Sequence, residues 1–517
     1  MVSPGTDVTA LVEGRVRDHP EAIACLDAGR PPVTYAEMSA LVDRAASALQ
    51  RAGLGPGIRT VVLVPPGREL LTLLLAVFRL RAVPVVVDPG LPPAAVRACL
   101  REAAPEAFIG VPRAQAARLL LGWGRGSVRI AITAGRRKGF GREGPPEWEA
   151  PGPGEMALIG YTSGSTGAPK GVPLRYRHLA AQFDLFEHLG VWRPGVPVMS
   201  TFPPFMLVGV AFGATAVIPE MDPRRPVHAD PAALVRDIRR HGVAGLFAPP
   251  ALLDRLARHC AARGPVLDSL DDVATAGAPL AMPVLERVRG CLREDARVLS
   301  VYGATECMPV AAIDGRELAA TGPATARGAG TCLGAPLPGV DVRVIGISDE
   351  PITRWNEDLA AAPGTIGEIT VASPAVSDPY LNRPGATELA RIADGNRTWH
   401  RMGDLGRLDE RGRLWFAGRR SERVRTSAGD LYTDQVEQVF ASVPGVHRVA
   451  LVEVGREPVL VVEPEPGSSR ARIKAAILAA DPFGLRDVLF RRRFPVDARH
   501  NSKIRRDELA AWARRRR

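Results

Sequence analysis

The sequence has 517 residues, which is too long for a single hydrophobic core, so two or more domains are expected. Its 46% hydrophobic and 24% charged residues are ordinary for a soluble globular protein and exclude a disordered chain. The net charge of +11 comes mostly from arginines scattered along the chain. The one tight run, residues 514–517, is interpreted as a solvated tail. Because no nucleic-acid-binding motif accompanies it, no nucleic-acid partner is expected.

The N-terminal part of the sequence alternates strand and helix patterns. Residues 61–64, 68–82 and 83–87 read as strand, helix and strand, a βαβ unit with a parallel sheet. The pattern recurs further on, with helices predicted at 231–240, 251–262 and 282–292, followed by strands at 245–248, 272–276 and 297–301. This alternation predicts an α/β fold whose doubly wound sheets carry helices on both faces.

The pattern of predicted secondary structure changes after residue 322. Strands joined by turns are predicted at 341–345, 367–371 and 413–417, which indicates a mostly antiparallel β subdomain over about residues 323–418. A smaller α/β unit follows, with helices near 434–441 and 470–480 and strands near 446–454 and 458–462. We therefore predict an N-terminal domain over residues 1–418 and a small C-terminal domain over residues 419–517.

Cysteine spacing and the apolar runs bear on the cellular compartment. The six cysteines are widely spaced and form no Cys-x-x-Cys pair, so neither a zinc site nor a disulfide framework is indicated, which fits a reducing cytoplasm. The N-terminus lacks a basic flank followed by an apolar core, and the longest apolar run, residues 70–78, is too short to span a bilayer. A cytoplasmic protein without a signal peptide or a transmembrane segment is expected.

The most informative segment is a loop rich in hydroxyl groups and glycine that follows a predicted strand at 156–160. Its glycines allow backbone N–H groups to surround an oxyanion, while hydroxyls and a lysine supply further donors and charge. It does not match the Walker pattern, because Lys170 is followed by Gly171, and its composition alone more often indicates a flexible surface loop than phosphate binding. The candidate phosphate-binding residues are Thr162, Ser163, Gly164, Ser165, Thr166, Gly167 and Lys170.

Several short motifs accompany this loop in a particular order. They are Thr34-Tyr35-Ala36-Glu37, Gly277-Ala278-Pro279-Leu280, Tyr302-Gly303-Ala304-Thr305-Glu306, Gly334-Ala335-Pro336-Leu337-Pro338-Gly339, Met402-Gly403-Asp404-Leu405, Gly418-Arg419-Arg420-Ser421 and Asn501-Ser502-Lys503. Each motif is weak alone, but over nearly the whole chain their order resembles the adenylate-forming superfamily of acyl-CoA synthetases, peptide-synthetase adenylation domains and luciferases.

The resemblance implies an ATP-dependent ligase and a role for each motif. The loop from Thr162 to Lys170 would hold the β- and γ-phosphates of ATP, and Gly277, Ala278, Pro279 and Gly303 would belong to the same nucleotide site. Tyr302 would stack on adenine, Thr305 would donate to the α-phosphate, and Glu306, a hard oxygen ligand, would bind Mg²⁺. Asp404 would accept both ribose hydroxyls, and Arg419 would contact ribose or phosphate near the hinge between the domains. Without the resemblance, Glu306 and Asp404 would be interpreted as an exposed carboxylate and a turn residue.

The resemblance also implies that Lys503, in the small mobile domain, enters the site and neutralises charge where the substrate carboxylate attacks the α-phosphorus. Such a transfer depends mainly on positioning and on charge stabilisation by cations. Lys503 matches the Gly-Lys-x-x-Arg pattern of the superfamily except that Ser502 replaces the glycine. Without that match, a lysine among arginines would be interpreted as a solvated surface residue.

Departures from the general superfamily pattern are similar to one branch, the olefin-pathway β-lactone synthetases. They include Ser421 at the hinge, Ser502 before the lysine, Met402 in place of threonine, and the segments 203–209 and 428–433. This branch activates a β-hydroxy acid as its acyl-adenylate, and the hydroxyl of the substrate then displaces AMP to close a four-membered lactone. A β-hydroxy fatty acid is therefore the expected substrate, with other enzymes of a pathway as possible partners.

Three alternatives remain open from the sequence. The chain could be a conventional acyl-CoA synthetase or fatty acyl-AMP ligase, since these share the first half-reaction, or a degenerate adenylate-binding protein. The apolar stretch 202–212 fits either the wall of an acyl pocket or plain core packing. His500 fits either the group that deprotonates the β-hydroxyl or an ordinary surface histidine, the latter being favoured.

Overall fold

The computed structural model describes residues 7–27, 29–88, 90–135, 149–162, 168–222, 225–263, 267–496 and 504–517. Its helices are, in chain order, α1 (Val8–Asp18), α2 (Tyr35–Arg51), α3 (Arg68–Arg79), α4 (Pro93–Ala103), α5 (Pro112–Leu121), α6 (Tyr176–Glu187), α7 (Pro204–Ala211), α8 (Pro231–Arg240), α9 (Pro250–Arg263), α10 (Met282–Arg289), α11 (Gly315–Thr325), α12 (Pro384–Ala390), α13 (Thr433–Phe440), α14 (Arg470–Ala480) and α15 (Arg506–Arg514). Short 3₁₀ turns span Pro226–His228, Glu357–Leu359 and Arg420–Glu422.

The strands are, in chain order, β1 (Ile23–Asp27), β2 (Val33–Thr34), β3 (Arg59–Leu63), β4 (Val83–Val86), β5 (Ala107–Gly110), β6 (Ile130–Thr133), β7 (Met156–Thr162), β8 (Lys170–Arg175), β9 (Pro197–Ser200), β10 (Thr215–Ile218), β11 (Gly245–Phe247), β12 (Asp272–Ala276), β13 (Arg297–Ala304), β14 (Cys307–Asp314), β15 (Thr331–Pro336), β16 (Asp341–Ile345), β17 (Gly367–Ala372), β18 (Arg391–Asp394), β19 (Arg397–Leu408), β20 (Leu414–Arg419), β21 (Val424–Thr426), β22 (Gly429–Leu431), β23 (Val446–Val454), β24 (Glu457–Pro464) and β25 (Asp487–Phe490). These elements confirm the predicted α/β class.

Two large sheets form most of the molecule. The first has the order β6-β5-β3-β4-β7-β8 and is parallel except for the β7–β8 hairpin. The second contains a parallel run of β1, β10, β9, β11, β12 and β13, which continues through β14 into the antiparallel strands β15, β20, β19, β17 and β16. The antiparallel strands predicted after residue 322 therefore extend the parallel sheet rather than forming a sheet of their own.

One hydrophobic core joins the two large sheets. It contains side chains of α3 such as Leu71 and Leu75, together with Ile109 from β5 and Val198 from β9. Removing a buried leucine from such a core costs about 2–5 kcal/mol, because the cavity adds to the lost transfer free energy. The packing of helices between the sheets therefore fixes the position of one sheet relative to the other.

Helix ends explain two differences from the sequence predictions. Helix α3 ends at Arg79, earlier than the predicted residue 82, because Arg81 adopts a left-handed conformation with φ of 54° that a helix cannot continue. The early motif at residues 34–37 is the N-terminal cap of α2. The Thr34 hydroxyl accepts a hydrogen bond from the Glu37 N–H, while the Glu37 carboxylate accepts one from the Thr34 N–H. This motif therefore has a structural role in starting a helix.

The C-terminal part of the chain has its own sheet and cores. Strands β23, β24 and β25 form a three-stranded sheet, which packs on α13 and α14 on one face and on α15 on the other. The arginine run at 514–517 is exposed at the end of α15, and Arg517 pairs with Asp487 at 2.7 Å. The boundary predicted near residue 418 falls just before these elements and stays a prediction. Within the described ranges, no helix is both long and apolar enough to cross a membrane.

A buried carboxyl joins the C-terminal part to the large sheet. Asp434 on α13 accepts a hydrogen bond from the Thr331 hydroxyl of β15 at 2.7 Å and another from Gln438 at 3.0 Å. Burial raises the pKa of Asp434 from 3.8 to about 6, although both hydrogen bonds oppose that rise. The folded protein thus holds this proton more tightly than the unfolded chain, so this group costs stability as the pH rises from 3.8 through about 6.

We expect Asp434→Asn to stabilise the protein at pH 8 by about 1–3 kcal/mol, because the amide carries no charge to desolvate. The gain should be smaller at pH 5, where the folded protein already holds the proton. Urea unfolding at the two pH values measures the difference, with the exposed Asp358→Asn variant as the control. A variant whose free energy of unfolding equals that of the wild type at both pH values would contradict the raised pKa of Asp434.

Candidate active site

The carboxyl ends of parallel strands bring the central motifs to one edge of the large sheet. Strands β12 and β13 are paired with Ala276 opposite Val301, so the segment 277–279 leaves the sheet beside Tyr302, which continues in β13 and is paired with Ala311 of β14. Gly277 has a φ of 91°, a left-handed conformation that favours glycine, and it turns the chain across this edge. Ligands of open α/β sheets bind at this edge, outside the carboxyl ends of the strands. The structure therefore places the segment 277–279 next to the end of β13, where Tyr302 and Gly303 lie, and their nucleotide-binding roles stay predictions.

The two ends of the predicted phosphate loop lie on a hairpin of the other large sheet. Thr162 at the end of β7 is paired with Lys170 at the start of β8, so the two strands hold both ends of the loop together. Of the predicted loop residues, Ser163, Gly164, Ser165, Thr166 and Gly167 lie outside the described residues. Both Thr162 and Lys170 are half-buried.

Thr305 and Glu306 form the two-residue turn between β13 and β14. Ala304 is paired with Cys307 across this turn, and Gly303 packs so closely that a Cβ there would lie 3.1 Å from the Cys307 carbonyl oxygen. The turn also meets the hairpin of the other sheet, because a Cβ on Gly160 would lie 3.2 Å from Cγ2 of Thr305. A glycine at position 160 thus lets the Thr305–Glu306 turn approach the strand that leads into the phosphate loop.

Tyr302 on β13, Asp404 on β19 and Arg419 on β20 of the larger sheet form a group held by a hydrogen bond and an ion pair. The Tyr302 hydroxyl donates to Oδ2 of Asp404 at 2.7 Å, and Nη1 of Arg419 lies 3.0 Å from Oδ1. Asp404 and Arg419 are paired across β19 and β20, which explains their proximity despite their separation along the chain. Burial and the neighbouring Asp404 charge raise the pKa of Tyr302 well above 10.0, so the phenol stays protonated and donates.

A second group surrounds the carboxylate of Glu306. The hydroxyl of Tyr380 donates to its Oε1 at 2.6 Å, and the ammonium of Lys170 lies 4.7 Å from the centre of the Tyr380 ring. His400 contacts the same ring edge-on, and burial lowers its pKa from 6.5 to about 4, so it is neutral at pH 7. Sequence reasoning missed Tyr380 and His400, and the only sequence feature near Tyr380 is the turn-rich segment 378–385, which by itself indicates a loop.

The donor set fits the predicted magnesium ion. Mg²⁺ prefers hard oxygen ligands and usually binds through one or two carboxylates together with substrate phosphates and water. Glu306 is 8% exposed, and the adjacent Thr305 contacts β7, the strand that precedes the predicted phosphate loop. No cluster of three or more His, Cys, Asp or Glu side chains that could hold a metal occurs in the described part of the chain. The site therefore suits a cation that is bound mainly through nucleotide oxygens.

Lys503 and His500 lie outside the described residues, and so do Asn501 and Ser502. The described chain resumes at Ile504, which forms a bridge to Val496 and so closes the base of this segment. The roles predicted for these residues, and for the other candidate residues, stay predictions.

An apolar wall borders the carboxyl edge of the sheet. Phe202 and the helix α7 follow β9, and the Phe205 ring lies 4.2 Å from the ring of Phe247 at the end of β11. Trp192 stacks on Phe205 with ring centres 5.8 Å apart. Phe202 and Phe205 are half-buried, whereas Phe247 and Trp192 are buried. The wall is thus only partly covered by protein on the side of Phe202 and Phe205.

This arrangement of the larger sheet is typical of α/β enzymes, which bind their ligands at the carboxyl edge of the sheet. A family model described as AMP-binding enzyme matches residues 12–381. The chain belongs to this family, and the predicted membership of the adenylate-forming superfamily is confirmed.

Curated relatives cover nearly the whole chain. An olefin β-lactone synthetase of Stenotrophomonas maltophilia is 44% identical, with 98% of each chain covered. An olefin β-lactone synthetase of Xanthomonas campestris pv. campestris is 45% identical, with 93% of this chain and 91% of the relative covered.

Solved structures share the fold. An amide bond synthetase from Marinactinospora thermotolerans has a TM-score of 0.79 at 24% identity, covering 98% of this chain and all of that chain. An o-succinylbenzoate coenzyme A synthetase from Bacillus subtilis, in complex with ATP and magnesium ion, has a TM-score of 0.76 at 22% identity, with 96% of this chain and 98% of that chain covered.

Proposed function

We propose that the chain is an ATP-dependent β-lactone synthetase that activates a β-hydroxy fatty acid as its acyl-adenylate and cyclises it. The observation that carries this proposal is the identity of 44–45% to two olefin β-lactone synthetases over nearly the whole chain. The Tyr302–Asp404–Arg419 group and the Thr305–Glu306 turn supply the nucleotide site that the first step needs.

In the first step, a carboxylate oxygen of the substrate attacks the α-phosphorus of ATP, and pyrophosphate leaves. Asp404 has the two oxygens needed to accept both ribose hydroxyls, and the Tyr302 ring offers a flat apolar face for adenine. Thr305 would donate to the α-phosphate, while Lys170 and the loop hold the departing phosphates. When bound beside Glu306, Mg²⁺ would neutralise charge on the phosphate oxygens.

In the second step, the β-hydroxyl oxygen attacks the acyl carbonyl carbon, and AMP leaves with the electrons of the anhydride bond. The proton of the hydroxyl passes to a base that the described residues do not identify. The four-membered ring is strained, but the attack is intramolecular, so proximity offsets part of the barrier. Cleavage of the mixed anhydride supplies the driving force, and no thiol acceptor is needed.

The same proposal concerns the binding of the alkyl chain, the cellular location and the partner enzymes. The half-buried rings of Phe202 and Phe205 would line the path of the alkyl chain, because long apolar chains bind in clefts with apolar walls. The cytoplasmic location and the cooperation with other pathway enzymes stay predictions.

The product of the reaction tests the proposal. The protein is incubated with ATP, Mg²⁺ and a long-chain β-hydroxy acid, with and without coenzyme A, and the products are identified by mass. We expect AMP, pyrophosphate and a product lighter than the acid by one water, in equal amounts with and without coenzyme A. A thioester that forms only with coenzyme A, or equal use of fatty acids that lack the β-hydroxyl, would favour an acyl-CoA synthetase or a fatty acyl-AMP ligase instead.

A further inference from the structure

A short segment of irregular backbone, residues 377–383, contacts both large sheets, and we call it the strap. Its Ser377 N–H donates to the backbone carbonyl of Glu306 at 2.8 Å, in the turn of the larger sheet. Its Leu381 N–H donates to the carbonyl of Gly171 at 2.9 Å, on the strand of the smaller sheet that leaves the phosphate loop. The strap thus ties together the two sides of the nucleotide site, which belong to different sheets.

Tyr380 in the middle of the strap repeats this connection with its side chain. Its hydroxyl donates to Oε1 of Glu306 at 2.6 Å, and its ring lies beneath the Lys170 ammonium at 4.7 Å. Tyr380 and Glu306 are both only 8% exposed. A short hydrogen bond to a buried carboxylate is strong, and a cation over an aromatic face adds attraction, so one side chain holds an anion and a cation at once.

We propose that Tyr380 is a positioning residue that fixes the Glu306 carboxylate and the Lys170 ammonium in one arrangement before ATP and its cation bind. This inference rests on the proposed function, which assigns Glu306 to Mg²⁺ and Lys170 to the phosphates. The terminal torsion of a glutamate is broad, so an unheld carboxylate must be ordered at the moment of binding. The hydrogen bond engages Oε1, and in the proposed arrangement Oε2 would be the oxygen that binds the cation.

The inference is tested by ATP binding in the absence of acid substrate, measured by titration calorimetry with and without Mg²⁺. For Tyr380→Phe, which keeps the ring but lacks the hydroxyl, we expect the Mg²⁺-dependent gain in ATP affinity to fall about tenfold, as for the loss of a hydrogen bond to a charged group. The affinity for ATP without Mg²⁺ should stay within about twofold of the wild-type value, because the ring under Lys170 remains. For Tyr380→Leu, the Mg²⁺-free affinity should fall as well.

The control variant is Tyr176→Phe, which removes the hydroxyl of another buried tyrosine, at the start of α6. We expect it to bind ATP as the wild type does in both conditions. If Tyr380→Phe does not fold, Thr387→Val loosens the strap from outside, because the Thr387 hydroxyl accepts the hydrogen bond of the Tyr380 N–H at 3.1 Å. It should shift the Mg²⁺ dependence in the same direction.

A Mg²⁺ dependence of ATP binding that is unchanged in Tyr380→Phe, or in Thr387→Val when that variant is used, overturns the positioning role. An equal loss of affinity with and without Mg²⁺ also overturns it, because that result indicates general damage to the site. The measurement is independent of the final product. A chain that binds ATP but forms no lactone would refute the proposed function and leave this test intact.

Discussion

Replacement of Lys503 by alanine is expected to slow acid-dependent pyrophosphate release by about 10²–10³-fold, comparable to the removal of one preorganised donor at a developing charge. The substrate carboxylate and the α-phosphate repel each other as the oxygen attacks, and a cation between them relieves that repulsion. Because this interaction strengthens in the transition state, the rate constant should fall more than the affinity for ATP. Pyrophosphate exchange measures the rate, and calorimetry measures the affinity.

Lys474 supplies a matched control for this experiment. It is an exposed lysine on α14 in the same C-terminal part of the chain, and Lys474→Ala should leave the exchange rate unchanged. Unchanged pyrophosphate release in Lys503→Ala would remove Lys503 from the mechanism. If the wild-type protein binds ATP but catalyses no exchange with any acid, the degenerate adenylate-binding alternative gains support instead.

Local sequence patterns predicted the strands and turns that carry parts of the candidate site. The strand before the phosphate loop, the turn glycine at 277 and the strands β12 and β13 follow from periodicity and turn residues, and parallel strands necessarily bring their carboxyl ends to one edge. The meeting of Thr305 with Gly160 could not be read in the same way, because it depends on how one large sheet packs against the other.

Tyr380 shows why other residues of the candidate site could not be predicted from the sequence. Its hydrogen-bond partner, Glu306, is 74 residues away, and the segment between them runs through the four strands β14 to β17 before it returns to Glu306. Nothing within a few residues of Tyr380 distinguishes it from a turn residue. The opposite case is the motif at Thr34, where a familiar pattern near the N-terminus turned out to cap a helix. Motif order thus identified the family, whereas side-chain roles required the packing of the two sheets.

Asp404, the carboxylate predicted to bind the ribose, already contacts other side chains of the protein in the structure. Asp404 is 3% exposed and already bonded to Tyr302 and Arg419. A carboxylate offers about four lone-pair sites, so ribose hydroxyls would have to share these sites with the existing contacts of Asp404. The existing contacts therefore orient Asp404 and do not exclude the predicted role.

Replacement of Arg506 by methionine should lower the free energy of unfolding by about 3 kcal/mol, the lower end of the cost of leaving a buried charge without its partner, because these side chains keep 14–17% exposure. Its guanidinium contacts Glu437 at 2.5 and 3.0 Å, Glu422 at 2.7 Å and the Leu451 carbonyl at 3.0 Å. Burial raises the pKa of Glu437, which shows the penalty that the arginine offsets. Urea unfolding measures the loss.

The neighbouring residue provides the control for this prediction. Arg505 makes an exposed ion pair with Glu508 at 2.9 Å, and such surface pairs contribute about 0–1 kcal/mol, so Arg505→Met should be nearly neutral. Equal stability of the two variants would refute the role of Arg506. Glu422 immediately follows Ser421 of the predicted hinge, and Arg506 comes three residues after Lys503, so this partly buried pair connects the two regions. Arg506→Met should therefore reduce pyrophosphate exchange even at temperatures where the variant remains folded, whereas Arg505→Met should not.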